Sequence, residues 1–149
     1  MTTCVWTPTM VAADTMADQN CLIMPTSKIR RFNNMILMGS GHSHQIEEYF
    51  FKIKNMNLAE VLALNFPDYE EEKKSPAMIL VDVPNPHLAW YLVGSMWMRI
   101  LRDFHAIGSG RDFAMAAIAL GKNAREAVEL AAQFDIYTGG DVECVQLKW

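Results

Sequence analysis

The chain has 149 residues, of which 51% are hydrophobic and 20% are charged, and its formal net charge is −4. This length and apolar content fit one domain with its own core, over residues 1–149, and exclude an intrinsically disordered chain. The acidic balance provides no positive surface for a phosphate backbone, so nucleic acid is not expected as a partner.

Membrane insertion and disulfide bonding are not expected either. No apolar run approaches the roughly 20 residues of a membrane-spanning helix, and the N-terminal residues lack the pattern of a secretion signal, which predicts a cytoplasmic protein. Cys4, Cys21 and Cys144 are odd in number and lack CxxC spacing, so they are expected to be reduced packing residues. The 11 methionines predict either a methionine-rich core or a surface that meets other subunits.

Two β-hairpins are predicted at the start of the chain. Pro8 separates the strands of the first hairpin, because proline cannot continue a β-ladder. Asn33 and Asn34, which tolerate the positive φ of a tight turn, separate the strands of the second. The predicted strands cover residues 2–6, 10–14, 28–32 and 35–39.

Two helices and a loop are predicted next. Apolar residues recur on one helical face over residues 43–54, at Ile46, Tyr49, Phe50 and Ile53. Asn57, with Glu60 three positions later, is a capping pair for a short helix that continues to residue 64. Residues 65–76 carry a charged run between two prolines and are predicted to form a solvated loop.

The second half is predicted to form an antiparallel meander, two helices and a final strand. The turn Gly108-Ser109-Gly110 opens the first of these helices, and Gly121 closes it as a left-handed C-cap. Asn123 and Glu126 repeat the capping pair for the next helix. The predicted elements are strands over residues 77–83, 89–93 and 96–101, a helix over residues 111–120, a helix with the apolar stripe Ala124, Ala127, Val128, Ala131 and Phe134, and a strand over residues 142–147. Strands and helices in blocks favour an α+β fold over a parallel alternating one.

The first residues carry candidate chemistry. An initiator methionine is normally removed when the next residue is as small as threonine, so Thr2 is expected to carry a free α-amine. A threonine hydroxyl is a weak nucleophile alone, but its own α-amine is a recognised general base for it. A nearby lysine cation would favour the neutral amine, because like charges disfavour protonation.

Six runs in chain order carry a family resemblance. They are Thr2-Thr3-Cys4-Val5, Val11-Ala12-Ala13-Asp14, Lys28-Ile29-Arg30-Arg31-Phe32, Met38-Gly39-Ser40-Gly41, the segment from Trp90 to Gly110 with its GSG turn, and Asp135-Ile136-Tyr137-Thr138-Gly139-Gly140. Together they resemble the proteasome β-subunit and its bacterial relatives, the N-terminal-nucleophile hydrolases, over nearly the whole chain. The sequence departs from that pattern at Thr138, where the family has serine, and at His42, where a second glycine is usual.

The resemblance implies a fold and a set of site residues. The fold would be a four-layer αββα sandwich of two antiparallel sheets flanked by helices. Thr2 would be the nucleophile, Lys28 the cation beside its amine, Asp14 the partner of Lys28, and Gly41 the backbone N–H donor to the oxyanion. The residues expected to surround the N-terminus are Ser109, Asp135 and Thr138.

The implied function is that of a threonine endopeptidase. It would cleave polypeptides through an acyl-enzyme, in a homo-oligomeric ring that is served by an ATP-dependent unfoldase, and no cofactor or metal is expected. Two other functions remain open: a catalytically silent ring subunit with a structural role, and an amidohydrolase that acts on small amides.

Simpler interpretations of individual residues also stay open. Asp14 and Lys28 could form an exposed ion pair, which contributes little. His42 and His44 could share a metal site, although two ligands do not complete one. Ser109 could be a nucleophile of another kind or part of a phosphate-binding turn, but the GxSxG and P-loop spacings are absent.

Overall fold

The computed structural model describes residues 2–19, 22–65 and 76–147. Within these ranges the chain forms eleven strands and four helices. In chain order they are β1 (Thr3–Trp6), β2 (Met10–Asp14), β3 (Met16–Gln19), β4 (Leu22–Pro25), β5 (Ile29–Phe32), β6 (Met35–Ser40), α1 (Ser43–Ile53), α2 (Leu58–Ala63), β7 (Ala77–Asp82), β8 (Ala89–Val93), β9 (Met96–Arg99), β10 (His105–Gly108), α3 (Arg111–Ala119), α4 (Ala124–Phe134) and β11 (Val142–Gln146).

Two antiparallel sheets form the centre of the molecule. One has the strand order β10-β1-β2-β11 and the other has the order β5-β6-β7-β8-β9, while β3 and β4 form a separate hairpin. The predicted hairpins β1–β2 and β5–β6 and the predicted meander β7–β8–β9 are all confirmed.

Strand β1 shows how the layers form. Side chains alternate between the two faces of a strand, so Cys4 and Trp6 pack in the core between the sheets while Val5 faces the opposite way. Val5 packs with the buried alanines of α3 and α4, including Ala114 and Ala127. This sheet is therefore covered by α3 and α4 on its outer face.

Strand β6 repeats this arrangement in the other sheet. Ile36 and Met38 contribute to the core between the sheets, whereas Met35 and Leu37 pack against α1 and α2. The order of layers is helices, sheet, sheet, helices, which confirms the predicted four-layer αββα sandwich.

Helix starts follow local capping chemistry. Asn57 accepts a hydrogen bond from the Glu60 N–H at 2.9 Å, and Asn123 accepts one from the Glu126 N–H at 2.9 Å. In both cases the glutamate returns a bond to the cap residue's own N–H, so both predicted capping boxes are confirmed.

Several predictions need correction. The structure has a hairpin, β3–β4, where the sequence shows a polar run, and a further short strand, β10, that has no signal in the sequence. Strand β9 ends at Arg99, so residue 101 lies outside it. Phe134 lies at the surface with 61% of its area exposed, because it stacks on Phe113 instead of joining the buried stripe.

The cysteines and methionines have mixed surroundings. Cys4 and Cys144 are free thiols, the first buried and the second half-buried, and burial raises the pKa of Cys4 to about 12. Cys21 and residues 66–75 of the predicted loop lie outside the described residues. Met38 is buried in the core and Met96 is exposed, so methionines occur both in the core and at the surface.

Candidate active site

Strand pairing brings distant segments to one end of the sandwich. Gly108 lies opposite Thr3 in the β1–β10 pair, and Val142 lies opposite Asp14 in the β2–β11 pair. Lys28 immediately precedes β5 in the other sheet and reaches Asp14. The start of the chain, Asp14, Lys28 and the segment after α4 therefore meet, as the family resemblance implied.

Asp14 is the centre of this cluster. Its side chain is fully buried, and its Oδ1 atom accepts hydrogen bonds from the Thr2 hydroxyl, from the Thr3 N–H at 2.9 Å and from Lys28 Nζ at 2.8 Å. Its Oδ2 atom accepts a bond from the Gly139 N–H at 3.1 Å. Four donors from three parts of the chain thus fix one carboxylate.

Lys28 is held as firmly as its partner. Its Nζ also donates to the Met16 carbonyl at 2.6 Å, and only 9% of its side chain is exposed, against 1% for Asp14. The interpretation of an exposed ion pair is therefore wrong. Breaking a buried pair of this kind by removing one partner costs about 3–5 kcal/mol, because the other charge stays buried without compensation.

A second group of hydroxyls lies beside the first. Asp135 Oδ2 accepts hydrogen bonds from Ser109 Oγ at 2.5 Å and from Thr138 Oγ1 at 2.6 Å. Thr138 Oγ1 also lies 2.7 Å from Thr3 Oγ1, and Ser109 Oγ donates a long bond of 3.4 Å to the Thr2 carbonyl. Ser109, Asp135 and Thr138 therefore lie around the first residues, which is the position that the family resemblance implies for them.

The hydrogen bonds to Asp135 also determine its charge state. Burial alone would raise the pKa of Asp135, but donation from Ser109, from Thr138 and from the Tyr137 N–H lowers it below the usual value. Asp135 is therefore an anion at neutral pH, and it accepts hydrogen bonds from both hydroxyls.

The turn after β10 requires glycine for steric reasons. Gly108 has φ +100°, and a Cβ atom there would lie 1.8 Å from the Thr2 carbonyl oxygen. A Cβ atom at Gly110 would lie 2.1 Å from Thr3 Oγ1. The glycines thus allow this turn to lie directly against the first two threonines, which explains the motif without a phosphate-binding role. Ser109 points at Asp135, so the interpretation of Ser109 as a separate nucleophile has no support.

A pocket of about 330 Å³ opens beside Thr2. Gly41, with φ +131°, lines it together with Thr2, so the predicted oxyanion donor lies at the same pocket as the predicted nucleophile. His42 and His44 also line it, and their ring centroids are 5.7 Å apart. In the described ranges, no three His, Cys, Asp or Glu side chains are grouped as metal ligands.

The structure adds residues that sequence reasoning did not identify. Thr3, the Met16 carbonyl and the Gly139 N–H hold the site through hydrogen bonds, and Gly108 leaves room for Thr2. Backbone groups have no signal of their own in a sequence, so Met16 and Gly139 could not be found there. Thr3 could have been found, since it directly follows Thr2 and carries a hydroxyl.

Chemically, the arrangement can hold a hydroxyl next to a fixed cation at the wall of a pocket. The Thr2 hydroxyl and the Lys28 ammonium share one carboxylate oxygen, so they lie side by side.

None of the helices in the described part of the chain is long and apolar enough to cross a membrane.

Sequence comparison alone identifies no relative. No protein-family model matches the chain, and no curated protein matches it.

Solved structures do match, over nearly the full chain. The Thiobacillus denitrificans protein BPH is 18% identical, with a TM-score of 0.67, covering 99% of this chain and 98% of that chain. The eukaryotic HslV from Trypanosoma brucei is 18% identical, with a TM-score of 0.64, covering 97% of this chain and 98% of that chain. An Anbu protein from Hyphomicrobium sp. strain MC1 is 9% identical, with a TM-score of 0.72, covering 98% of this chain and 81% of that chain. The chain therefore has the fold of the proteasome-like N-terminal-nucleophile hydrolases.

Proposed function

We propose that this protein is a threonine endopeptidase whose nucleophile is the hydroxyl of Thr2. The observation that carries the proposal is the binding of the Thr2 hydroxyl and the Lys28 ammonium to the same oxygen of Asp14, at the wall of a pocket. Removal of Met1 frees the α-amine of Thr2 to act as the base. A relative in fold, BPH of Thiobacillus denitrificans, has been crystallised in complex with epoxomicin.

The reaction proceeds in two steps. The Thr2 hydroxyl attacks the peptide carbonyl while its α-amine takes the proton and passes it to the leaving amine, which gives an acyl-enzyme ester. The same amine then takes a proton from a water molecule as that water attacks the ester carbonyl, and it returns the proton to the leaving Thr2 oxygen, which releases the acid product and restores the free hydroxyl. Lys28 disfavours protonation of the amine, because it places a positive charge close to the hydroxyl.

The remaining site residues stabilise and position the reacting groups. The backbone N–H of Gly41 donates to the oxyanion, a contribution for which one donor is typically worth about 3–4 kcal/mol of the barrier. Asp135, with Ser109 and Thr138, fixes the strand that carries the nucleophile. Asp14 holds the Thr2 hydroxyl and the Lys28 ammonium next to each other, because both donate to its Oδ1 atom.

Assembly into a homo-oligomeric ring is the second part of the proposal. Phe113 and Phe134 stack on the outer surface of α3 and α4 with 41% and 61% of their areas exposed, and Leu120 is 84% exposed. Apolar surface of this kind favours burial against another subunit. The substrate is a polypeptide, supplied by an ATP-dependent unfoldase.

An intact mass spectrum of the purified protein, with and without the peptide epoxyketone epoxomicin, tests the chemistry. An epoxyketone forms a ring adduct with a threonine that offers both a hydroxyl and a free amine. We expect loss of Met1 and one adduct per chain, no adduct in Thr2→Ala, and an unchanged adduct in Thr9→Ala, because Thr9 is exposed and remote from the site. Native mass spectrometry of the same sample reports the subunit number.

Two outcomes would contradict the proposal in different ways. Retained Met1 without an adduct would indicate a catalytically silent subunit that keeps the fold for a structural role. An adduct on a protein that cleaves small amides but no peptides would indicate an amidohydrolase.

A further inference from the structure

The pocket beside Thr2 has an unusual balance of charge. Its described lining holds two cationic side chains and two imidazoles, and no carboxylate. They are Lys28, Arg30, His42 and His44. Hydroxyl groups of Thr26, Ser27, Ser40 and Ser43 complete the polar part of the wall. The protein as a whole is acidic, with a net charge of −4, so this local balance is opposite to that of the chain.

The two strongest cations face the pocket for a structural reason. Lys28 and Arg30 are two positions apart at the start of β5, and alternate residues of an extended segment share a face. Ile29 lies between them and packs in the core, whereas Arg31, which follows Arg30, is exposed and does not line the pocket. The strand thus presents two positive side chains to the cavity and one to the surface.

The carboxylates that balance these cations are not part of the pocket lining. Asp14 binds Lys28 and Glu47 binds Arg30, but neither carboxylate lines the pocket. In each ion pair the cation is therefore the member that borders the cavity. A ligand in the pocket meets N–H donors of charged groups, which form stronger hydrogen bonds than neutral donors do.

Arg30 has remaining capacity to bind a ligand. Its guanidinium donates to the Ser27 carbonyl at 3.2 Å and to Glu47, and a guanidinium has five N–H donors. Burial lowers the pKa of Arg30, with a smaller opposing effect of Glu143. An anion that entered the pocket would offset this cost of burial and engage the remaining donors.

We propose that this pocket selects an acidic side chain, glutamate or aspartate, at the substrate residue whose carbonyl Thr2 attacks, and that Arg30 is the residue that determines this specificity. The inference rests on the proposed function, because it assigns the pocket to the residue before the cut. The volume of about 330 Å³ is at the lower end of ligand pockets, which suits one side chain.

Glu47 limits how strongly the pocket prefers an acidic substrate residue over a neutral one. It occupies part of the guanidinium of Arg30, so it competes with the substrate carboxylate for the same donors. Removing the charge of Glu47 is expected to increase the preference for an acidic residue, whereas removing the charge of Arg30 is expected to abolish it. Opposite effects of the two partners of one ion pair would not arise from a structural role alone.

The test compares fluorogenic peptides that differ only in the residue before the cut, which is Glu, Gln or Leu. We expect kcat/KM to be about tenfold or more higher for Glu than for its neutral isostere Gln. In Arg30→Gln this ratio falls to near unity, in Glu47→Gln it rises, and in the control Arg31→Gln it stays at the wild-type value. A wild-type ratio near unity, or a ratio that Arg30→Gln leaves unchanged, would overturn the proposal.

Binding to the inactive Thr2→Ala variant separates this proposal from the proposed function. Chemical-shift titration with the same Glu and Gln peptides reports occupancy of the pocket without cleavage. Tighter binding of the Glu peptide without cleavage by the wild-type protein would refute the peptidase and keep the pocket assignment. Cleavage without any preference for Glu, together with equal binding of both peptides, would refute the pocket assignment and keep the peptidase.

Discussion

Replacing Asp14 by Asn tests the reasoning about the buried cluster most directly. The two side chains have the same shape, so no cavity forms and the change is confined to charge and hydrogen bonding. Asp14 uses both oxygens as acceptors, three times at Oδ1 and once at Oδ2. An amide offers one oxygen and one NH₂ group, so at least one donor of the folded protein must face another donor.

The magnitude follows from the surroundings of Lys28. With Asn at position 14, a cation whose side chain is 9% exposed loses its counter-ion and keeps the Met16 carbonyl as partner. Loss of one partner of a buried pair costs about 3–5 kcal/mol, and the remaining carbonyl bond places the expected value in the lower half of that range. Solvent screening does not reduce it, because both groups are buried.

Urea unfolding followed by tryptophan fluorescence measures this loss, because Trp6 is fully buried in the core. Protein concentration must be equal for all variants, since self-association adds to apparent stability. The matched control is Asp112→Asn, an exposed aspartate 3.6 Å from Arg111, for which we expect a change below about 0.5 kcal/mol. Adding Lys28→Met to Asp14→Asn should recover part of the loss.

A small effect would refute the argument. If Asp14→Asn loses less than about 1 kcal/mol, or no more than the Asp112 control, then the buried cation is not dependent on this carboxylate. The same result would remove the physical basis for treating Asp14 and Lys28 as one unit beside Thr2.

Three further predictions concern the turn, a helix cap and pH. Gly108→Ala should lower the free energy of unfolding in urea by more than about 2 kcal/mol, because the new Cβ atom would meet the Thr2 carbonyl. Gly94 also has positive φ but has open space around it, so Gly94→Ala should lose only about 1–2 kcal/mol. Equal losses for the two variants would contradict the steric argument. Asn123→Ala removes a capping box and should lose about 1 kcal/mol, and a change near zero would count against the cap. Asp135 has a lowered pKa in the folded state, so the stabilisation by its charge is present above its unfolded pKa of about 3.9 and is lost as the pH falls through the folded pKa. The difference in unfolding free energy between the wild type and Asp135→Asn should therefore narrow below about pH 4. A constant difference would contradict this.

Local chemistry made much of the fold predictable. Asn57 and Asn123, each with a glutamate three positions later, mark helix starts through bonds within a few residues. The turn at Asn33 and Asn34 was equally clear, and both residues have positive φ in the structure. Such signals depend on adjacent residues, so one sequence suffices to detect them.

Non-local pairing was harder to predict. Strand β10 is four residues long and is held at the sheet edge by pairing with β1, about a hundred positions earlier in the chain. Phe134 follows the helical period of the buried stripe, yet 61% of its area is exposed and its ring stacks on Phe113. Whether a periodic position is buried depends on how far the neighbouring layer extends, which the helix sequence does not contain.

The site residues were predicted through the family resemblance, and the contacts show why spacing alone would not have identified them. Thr2, Asp14 and Lys28 are separated by 12 and 14 positions and meet through strand pairing. The roles of the Met16 carbonyl and the Gly139 N–H depend on backbone geometry. Any residue type could supply the carbonyl, and any residue except proline could supply the N–H.

The long sequence separations within the cluster have a consequence for the newly made chain. Thr3 meets Thr138 across 135 positions, and Asp14 meets Gly139 across 125. A chain still being synthesised contains its first threonines long before their C-terminal partners leave the ribosome. The full set of contacts around Thr2 therefore forms only after residue 139 has left the ribosome, and shorter nascent chains lack this geometry.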